Sequence, residues 1–164
     1  MQEKKTLIIM RHAKSSWDDM SLPDSERPLN KRGKHNAPMM GGRMKKQGCH
    51  CDLLISSPAV RALATAKLVA KEIGYKKNIS EESDLYMADI GDYLHVISGV
   101  DEQIKNLMLV SHNPGIEEFF IYLTGEMIEN FPTAAYAIIE VKGKWSELTS
   151  GKLLHYDFPK SAIA

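Results

Sequence analysis

The sequence predicts an α/β fold: a three-layer α/β/α sandwich built on a mostly parallel sheet with an antiparallel edge. Three apolar runs, at Thr6–Met10, Leu53–Ser57 and Asn106–Ser111, each predict a buried strand and alternate with helix-like segments. Such alternation is typical of βαβ units, in which helices cover both faces of a parallel sheet. Two further runs, at 134–142 and 152–158, enclose a segment that begins and ends with glycine, so they predict an antiparallel hairpin at one sheet edge.

In the first half of the chain, a polar loop and two helices are predicted. The stretch from Ala13 to Arg27 has no regular pattern, and loops of this length in compact domains are usually functional or disordered. Asn30 suits the N-cap of a helix that extends to Gly48. The clearest helix covers Pro58–Ile73, because small and apolar residues recur there at helical spacing and Gly74 follows as a stop.

In the second half, shorter elements alternate. A weak strand is predicted around Asn78–Ser80, and a helix at Asp89–Ser98. The strand that ends at Ser111 turns at 113–115 into a helix through Leu123, which Gly125 terminates. Because no repeat or linker interrupts the 164 residues, we expect residues 1–164 to form a single domain.

Composition argues against several classes of function. The 21 basic and 21 acidic residues cancel, so no global field favours nucleic acid or a membrane surface as partner. No apolar run approaches the roughly 20 residues of a membrane span, and the first residues lack a signal-peptide pattern, so we expect a cytoplasmic protein. Cys49 and Cys51 flank His50, but this spacing without a second ligand pair does not predict a metal site.

Arginine and histidine side chains follow three of the predicted strands. Arg11 and His12 end the first, Arg61 lies beyond the second, and His112 follows the third. Each alone is more commonly a solvated or structural residue, but carboxyl ends of parallel strands meet at one sheet edge, where ligands bind. Arginine forks match phosphate oxygens, a neutral imidazole can attack phosphorus, and a protonated second imidazole can stabilise the transferring group. The four residues therefore predict a phosphoryl-transfer site.

The same segments resemble a known family. The runs "LIIMRHAKS", "SSPAVRALATA" and "VSHNPG" are similar to three signatures of the histidine phosphatase superfamily, also called phosphoglycerate mutase-like. The segment "DSERPLNKRG" further resembles the small SixA-type branch of phosphohistidine phosphatases. The resemblance implies a phosphoglycerate mutase-like fold and a phosphatase activity.

The resemblance also implies roles for individual residues. His12 would be the nucleophile that becomes phosphorylated, while Arg11 and Arg61 clamp the phosphoryl oxygens and His112 completes the pocket. Arg27 and a hydroxyl or backbone donor at or near Ser16 would be further substrate contacts. Since these side chains supply the charge stabilisation that a metal supplies elsewhere, neither a metal nor another cofactor is expected.

One departure from the family pattern bears on the substrate. Mutases and many ester phosphatases of the superfamily have a general-acid glutamate after a leucine, whereas this chain has Asp84-Leu85-Tyr86. An alkoxide leaving group needs a proton, but the leaving nitrogen of phosphohistidine has a conjugate acid that titrates near neutrality. We therefore expect a phosphohistidine-bearing protein as substrate. The alternatives are small phosphate monoesters, with Asp18, Asp84 or Asp89 as acid, and a non-catalytic phosphoryl-binding domain, for which a nucleophile would be superfluous.

Overall fold

A six-stranded sheet between two pairs of helices organises the computed structural model, which describes residues 2–160. The strands are β1 (Lys4–Arg11), β2 (Leu53–Ser56), β3 (Ser80–Glu81), β4 (Asn106–Ser111), β5 (Tyr136–Lys142) and β6 (Lys152–Asp157). The helices are α1 (Lys31–Lys46), α2 (Val60–Ile73), α3 (Ile90–Ser98) and α4 (Gly115–Thr124). The strand order is β3-β2-β4-β1-β5-β6; the first four strands are parallel, and β5 is antiparallel to both of its neighbours. The predicted fold class is confirmed.

Two hydrophobic cores lie on opposite faces of the sheet. Successive side chains of a strand point to opposite faces, so Leu7 and Ile9 join the core formed with α3 and α4. Ile8 and Met10 join the core formed with α1 and α2. Because both faces are covered, β1 and β4 are nearly continuous apolar runs rather than alternating ones. This burial fixes the strand ends that carry the predicted site.

The start of α1 follows the prediction, and the start of α2 differs from it. Asn30 caps α1, since its Oδ1 accepts the N–H of Gly33 at 2.8 Å. Helix α2 begins at Val60 instead of Pro58, because the Oγ of Ser57 accepts the N–H of Ala59 at 3.2 Å and keeps this segment in a turn. The glycine stop is confirmed, as Gly74 adopts φ 76°.

Among the remaining predicted elements, only the weak strand is displaced. It lies at Ser80–Glu81 rather than Asn78–Ser80, and pairing with Ile55 and Ser56 of β2 defines it. Both of its residues are exposed, so no hydrophobic pattern marked its position. The predicted strand β4, helices α3 and α4, and the terminal hairpin are confirmed.

The cysteines are free thiols in a hydrophobic setting. Burial raises the pKa of Cys49 to about 11 and that of Cys51 to about 12. Neutral thiols are poor nucleophiles, so the two side chains contribute packing. Within residues 2–160, no helix combines the length and the apolar character needed to cross a bilayer.

Candidate active site

The sheet order brings the predicted residues to one edge. Arg11 is paired with Ser111 in the parallel register of β1 and β4, so the next residues, His12 and His112, lie side by side. Their ring centroids are 5.0 Å apart. Strand β2 is the other neighbour of β4, and it leads through a short turn to Arg61 in the first turn of α2.

A cavity of about 310 Å³ opens at this edge. Arg11, His12, Arg61 and His112 all line it, so the structure brings the four predicted catalytic residues together. The other lining residues are Lys14, Ser15, Trp17, Arg27, Asn113 and Thr133. No aspartate or glutamate is among the lining residues of the described chain, so the cavity favours an anion.

The ring of His12 is held through one nitrogen, and the other nitrogen carries the lone pair. Its Nδ1 lies 2.7 Å from the carbonyl oxygen of Ala13. Because a carbonyl oxygen only accepts, Nδ1 carries the proton of the neutral ring and Nε2 carries the lone pair. The Nε–H of Arg61 points to that Nε2 at 3.4 Å. A neutral histidine in this tautomer is oriented as a nucleophile.

Arg61 is fixed by a residue outside the three signatures, Asp24. The Nη1 of Arg61 donates to the carbonyl oxygen of Asp24 at 2.6 Å, and its Nη2 donates to the Oδ2 of the same residue at 2.9 Å. Tyr86 donates its hydroxyl to Oδ2 at 2.6 Å, and Arg27 donates through Nε to Oδ1 at 3.1 Å. The hydrogen bond from Tyr86, followed by those from Arg61 and Arg27, holds the pKa of Asp24 well below its ordinary value of 3.8. Asp24 is therefore a permanent anion that braces Arg61.

His112 is held through the opposite ring nitrogen. Its Nε2 lies 2.8 Å from the Oγ of Ser57, while its Nδ1 is buried without a hydrogen-bond partner in the described chain. The Oγ of Ser57 already accepts the N–H of Ala59. When the hydroxyl donates its own proton to Nε2, the ring proton lies on Nδ1, which has no acceptor within the described chain. The ring of Tyr86 packs against the same imidazole nearly at a right angle, with centroids 5.4 Å apart.

Both imidazoles are neutral in the free site. Burial lowers the pKa of His12 to about 3, and it lowers the pKa of His112 to about 4. Positive charge on Arg61 acts in the same direction on both rings. From the sequence, one neutral and one protonated ring are expected around a bound phosphoryl group, and this expectation for the occupied site stays a prediction. In the free site both histidines are only 6% exposed and lie among arginines, which favours the neutral form of each.

Arg11 is oriented from the opposite wall. Its Nη1 donates to the carbonyl oxygen of Phe131 at 3.1 Å, and the Nδ2 of Asn113 donates to the same oxygen at 2.9 Å. The N–H of Phe131 in turn donates to Glu117 at 2.7 Å. The Nε of Arg11 is buried without a partner in the described chain. Two arginines thus face the cavity from different elements, each fixed by its own acceptors.

The two further predicted contacts, Arg27 and Ser16, lie differently. Arg27 lines the cavity, but it donates to Asp24, to the Oγ of Ser15 at 2.8 Å and to the carbonyl of Ser16 at 3.2 Å. Its guanidinium also lies over the ring of Trp17, 3.6 Å from the centroid. Ser16 is not among the lining residues, whereas Ser15 is. Their contact with substrate stays a prediction.

Close packing fixes the loop that carries Arg27. A side chain at Gly33 would collide with the carbonyl oxygen of Lys14, so only glycine lets the loop lie this close to α1. The N–H of Asn30 donates to the same carbonyl at 2.9 Å. The loop that the sequence left without structure is therefore tied to the start of α1.

Sequence reasoning missed Asp24, Ser57, Tyr86 and Asn113 as parts of the site. Ser57 and Asn113 lie within the signature segments "SSPAVRALATA" and "VSHNPG", and Asp24 begins the segment "DSERPLNKRG". Those positions are the sequence signals that could have pointed to three of the four. Their roles depend on contacts between distant segments, such as the 62-residue separation of Asp24 and Tyr86.

Comparison with known proteins agrees with the fold and with the family that the sequence resembles. The sequence profile of the histidine phosphatase superfamily (branch 1) matches residues 7–105. An uncharacterised protein of Mycobacterium tuberculosis is 30% identical over 152 residues, which cover 87% of this chain and 93% of that protein. A structure from Agrobacterium tumefaciens, named as a SixA phosphohistidine phosphatase, has a TM-score of 0.83 at 25% identity and covers 94% of this chain and 98% of that one. A structure of the protein histidine phosphatase SixA with tungstate has a TM-score of 0.80 at 23% identity and covers 92% and 95%.

The chain belongs to the histidine phosphatase superfamily. It is a phosphatase, and its fold is similar to that of SixA proteins.

Proposed function

We propose that this phosphatase removes phosphoryl groups from phosphohistidine residues of proteins through a covalent phosphohistidine at His12. The observation that carries the proposal is the fixed tautomer of His12, which lines the cavity: its Nδ1 is bound to the Ala13 carbonyl, so the lone pair lies on Nε2, next to Arg61. Arg11 and Arg61 border the same space and supply forks for phosphoryl oxygens. The matching of SixA proteins to this fold supports the same reading.

The reaction consists of two in-line transfers. The lone pair on Nε2 of His12 attacks phosphorus, and the bond from phosphorus to the substrate ring breaks; that ring, protonated on its other nitrogen, leaves as neutral imidazole. His12 keeps the proton on Nδ1, so its phosphorylated ring is cationic. Water then attacks phosphorus, the bond to Nε2 breaks, His12 returns to its neutral form, and both water protons leave with the inorganic phosphate or pass to solvent. Arg11 and Arg61 stabilise the charge on the phosphoryl oxygens in both steps. A phosphoryl dianion raises the pKa of His112 and so favours its protonated form. The positively charged ring is a stronger hydrogen-bond donor than the neutral one during transfer.

The surroundings of the carboxylates favour phosphohistidine over alkyl esters. Asp24 is held ionised by three donors and cannot supply a proton near neutral pH. The three alternatives considered from sequence lie off the cavity wall. Asp89 caps α3, Asp84 lines a different cavity beside α3, and Asp18 is exposed. A site without a carboxylic acid suits a leaving group that needs little assistance.

Rapid mixing tests the covalent step. The enzyme is mixed with a histidine-phosphorylated protein, quenched within milliseconds and analysed for bound phosphate that is labile to acid and stable to base. We expect this label on His12, and we expect His12→Gln to lose turnover by about 10³-fold or more, as for a missing nucleophile.

His95→Gln is the matched control, because His95 is exposed and lies outside the cavity. An alkyl phosphate supplied in parallel should be hydrolysed about 10²-fold more slowly, which is the usual value of a general acid. Turnover of the His12→Gln protein at the parental rate would contradict the covalent mechanism. Equal rates on phosphohistidine and alkyl phosphate would contradict the substrate assignment.

A further inference from the structure

A second, larger concavity opens beside the catalytic cavity. It has a volume of about 930 Å³ and shares Lys14 and Thr133 with the catalytic wall. We call it the basic groove. It is lined by residues from the first turns of α1, by residues 158–160 after β6, and by Asn130, Pro132 and Thr133. The groove is therefore continuous with the wall of the catalytic cavity, within reach of residues next to a phosphorylated side chain.

The groove collects positive charge. Lys14, Lys31, Arg32 and Lys160 line it, and no aspartate or glutamate of the described chain does. The whole chain carries equal numbers of basic and acidic residues, so this concentration is local. No carboxylate within residues 2–160 forms an ion pair with Lys31 or Arg32, and both side chains are exposed.

Helix stability does not explain the cations at the start of α1. The N-terminus of a helix carries partial positive charge, so acidic residues stabilise its first turn and basic residues oppose it. Lys31 and Arg32 occupy that first turn, which has no acidic residue. The last turn of the same helix carries Arg43, Lys45 and Lys46, where positive charge is favourable. Positions that break a local rule of folding are expected at functional surfaces.

Apolar side chains complete the groove. Met39, Pro132, Phe158 and Pro159 line it between the cations. A surface that combines apolar contacts with a rim of one charge suits a protein segment of the opposite charge, and such complementarity chiefly raises association rates and selectivity.

We propose that the basic groove docks an acidic segment adjacent to the phosphohistidine of the substrate protein. This inference rests on the proposed function and adds the chemistry of the partner: carboxylates next to the phosphorylated histidine, placed over Lys31 and Arg32. Lys14 contacts both regions and is left out of the test for that reason.

Two synthetic peptides test the docking. Each carries a central phosphohistidine made with phosphoramidate; one is flanked by glutamates and the other by glutamines. For the parent enzyme we expect kcat/KM to be about tenfold higher on the glutamate peptide at low salt, and the preference to disappear at high salt. The double variant Lys31→Gln with Arg32→Gln should lose this preference, and its turnover of free phosphohistidine should be unchanged.

The matched control is Lys45→Gln with Lys46→Gln, which removes the same charge from the other end of α1 and should keep the preference. Equal parental kcat/KM on both peptides would overturn the docking proposal, as would an equal loss of preference in both double variants. A preference that depends on enzyme concentration would assign the groove to a second copy of the chain and would also overturn it. Failure of the parent to hydrolyse either phosphohistidine peptide would instead contradict the proposed function itself.

Discussion

The ends of β1 and β4 carry the same residue type one position beyond the strand, but they hold it in opposite ways. His12 is fixed through Nδ1 by the backbone carbonyl of its own neighbour, Ala13. His112 is fixed through Nε2 by a hydroxyl that comes from the end of β2, that of Ser57. Burial and pKa direction are alike in the two rings. The two rings differ in which nitrogen is hydrogen-bonded to the protein.

This difference supports the two roles proposed for the rings. A ring that must give its proton to a carbonyl presents a lone pair on its other nitrogen, which suits a nucleophile. A ring bound to a hydroxyl can take either tautomer, because a hydroxyl both donates and accepts. His112 is thus suited to donate to a phosphoryl oxygen and to change protonation when the anion arrives. Similar burial does not imply a similar function.

Of the variants that test this difference between the two rings, His112→Gln should have the largest effect. We expect kcat to fall by about 10²- to 10³-fold, as for loss of one preorganised donor to a transition state. The phosphorylated His12 should still form in this variant, and quenched single-turnover reactions measure it directly. Complete absence of the phosphoenzyme would contradict the assignment, since it would make His112 as necessary as the nucleophile.

The pH dependence of stability comes next in size. Both folded-state pKa values, about 3 for His12 and about 4 for His112, lie below the ordinary 6.5, so the unfolded chain binds protons first as pH falls. The free energy of unfolding should therefore be at its full value above pH 6.5. Below that it should decrease by about 1.4 kcal/mol per pH unit for each ring, until the folded pKa is approached.

Urea denaturation at pH 7, 6 and 5, in buffers without phosphate, measures this slope. His12→Gln removes one of the two buried rings, so its slope between pH 6 and 5 should be smaller by about 1.4 kcal/mol per unit. His95→Gln, at an exposed position, serves as the control. Equal slopes for the parent and His12→Gln would contradict the low pKa of His12.

The smallest effect is expected from Ser57→Ala, which removes the acceptor and donor at Nε2 of His112. Loss of one hydrogen bond that sets a tautomer should lower kcat by about tenfold, with little change in KM. Ser57→Thr keeps the hydroxyl and should restore most of the activity, which a steady-state comparison of the two variants will show. A larger loss in Ser57→Thr than in Ser57→Ala would mean that packing, not the hydroxyl, accounts for the residue.

Elements defined by buried periodicity were predictable. Strand β4 lies where its apolar run predicted it, and Asn30 caps α1 as expected from its position. The displaced strand β3 is the contrary case. Its exposed residues carry no hydrophobic signal, and only pairing with β2 defines it. Local patterns predict elements that are stabilised locally or by burial of their own residues.

The candidate site divides in the same way. Arg11, His12, Arg61 and His112 were found because each lies just beyond a predicted strand, and a parallel sheet brings such positions to one edge. Asp24 was not found as a site residue. It meets Arg61 across 37 residues and Tyr86 across 62, through a loop whose path no periodicity describes.

The sequence by itself determined the α/β fold and the edge of the sheet where two arginines and two histidines gather, because hydrophobic periodicity and strand ends are local information. Only the tertiary structure decided which nitrogen of each imidazole is hydrogen-bonded to the protein, how Asp24 fixes Arg61 and where the basic groove lies. Those features depend on hydrogen bonds and charges between segments that meet only after the loops close, so their partners cannot be read from neighbouring residues.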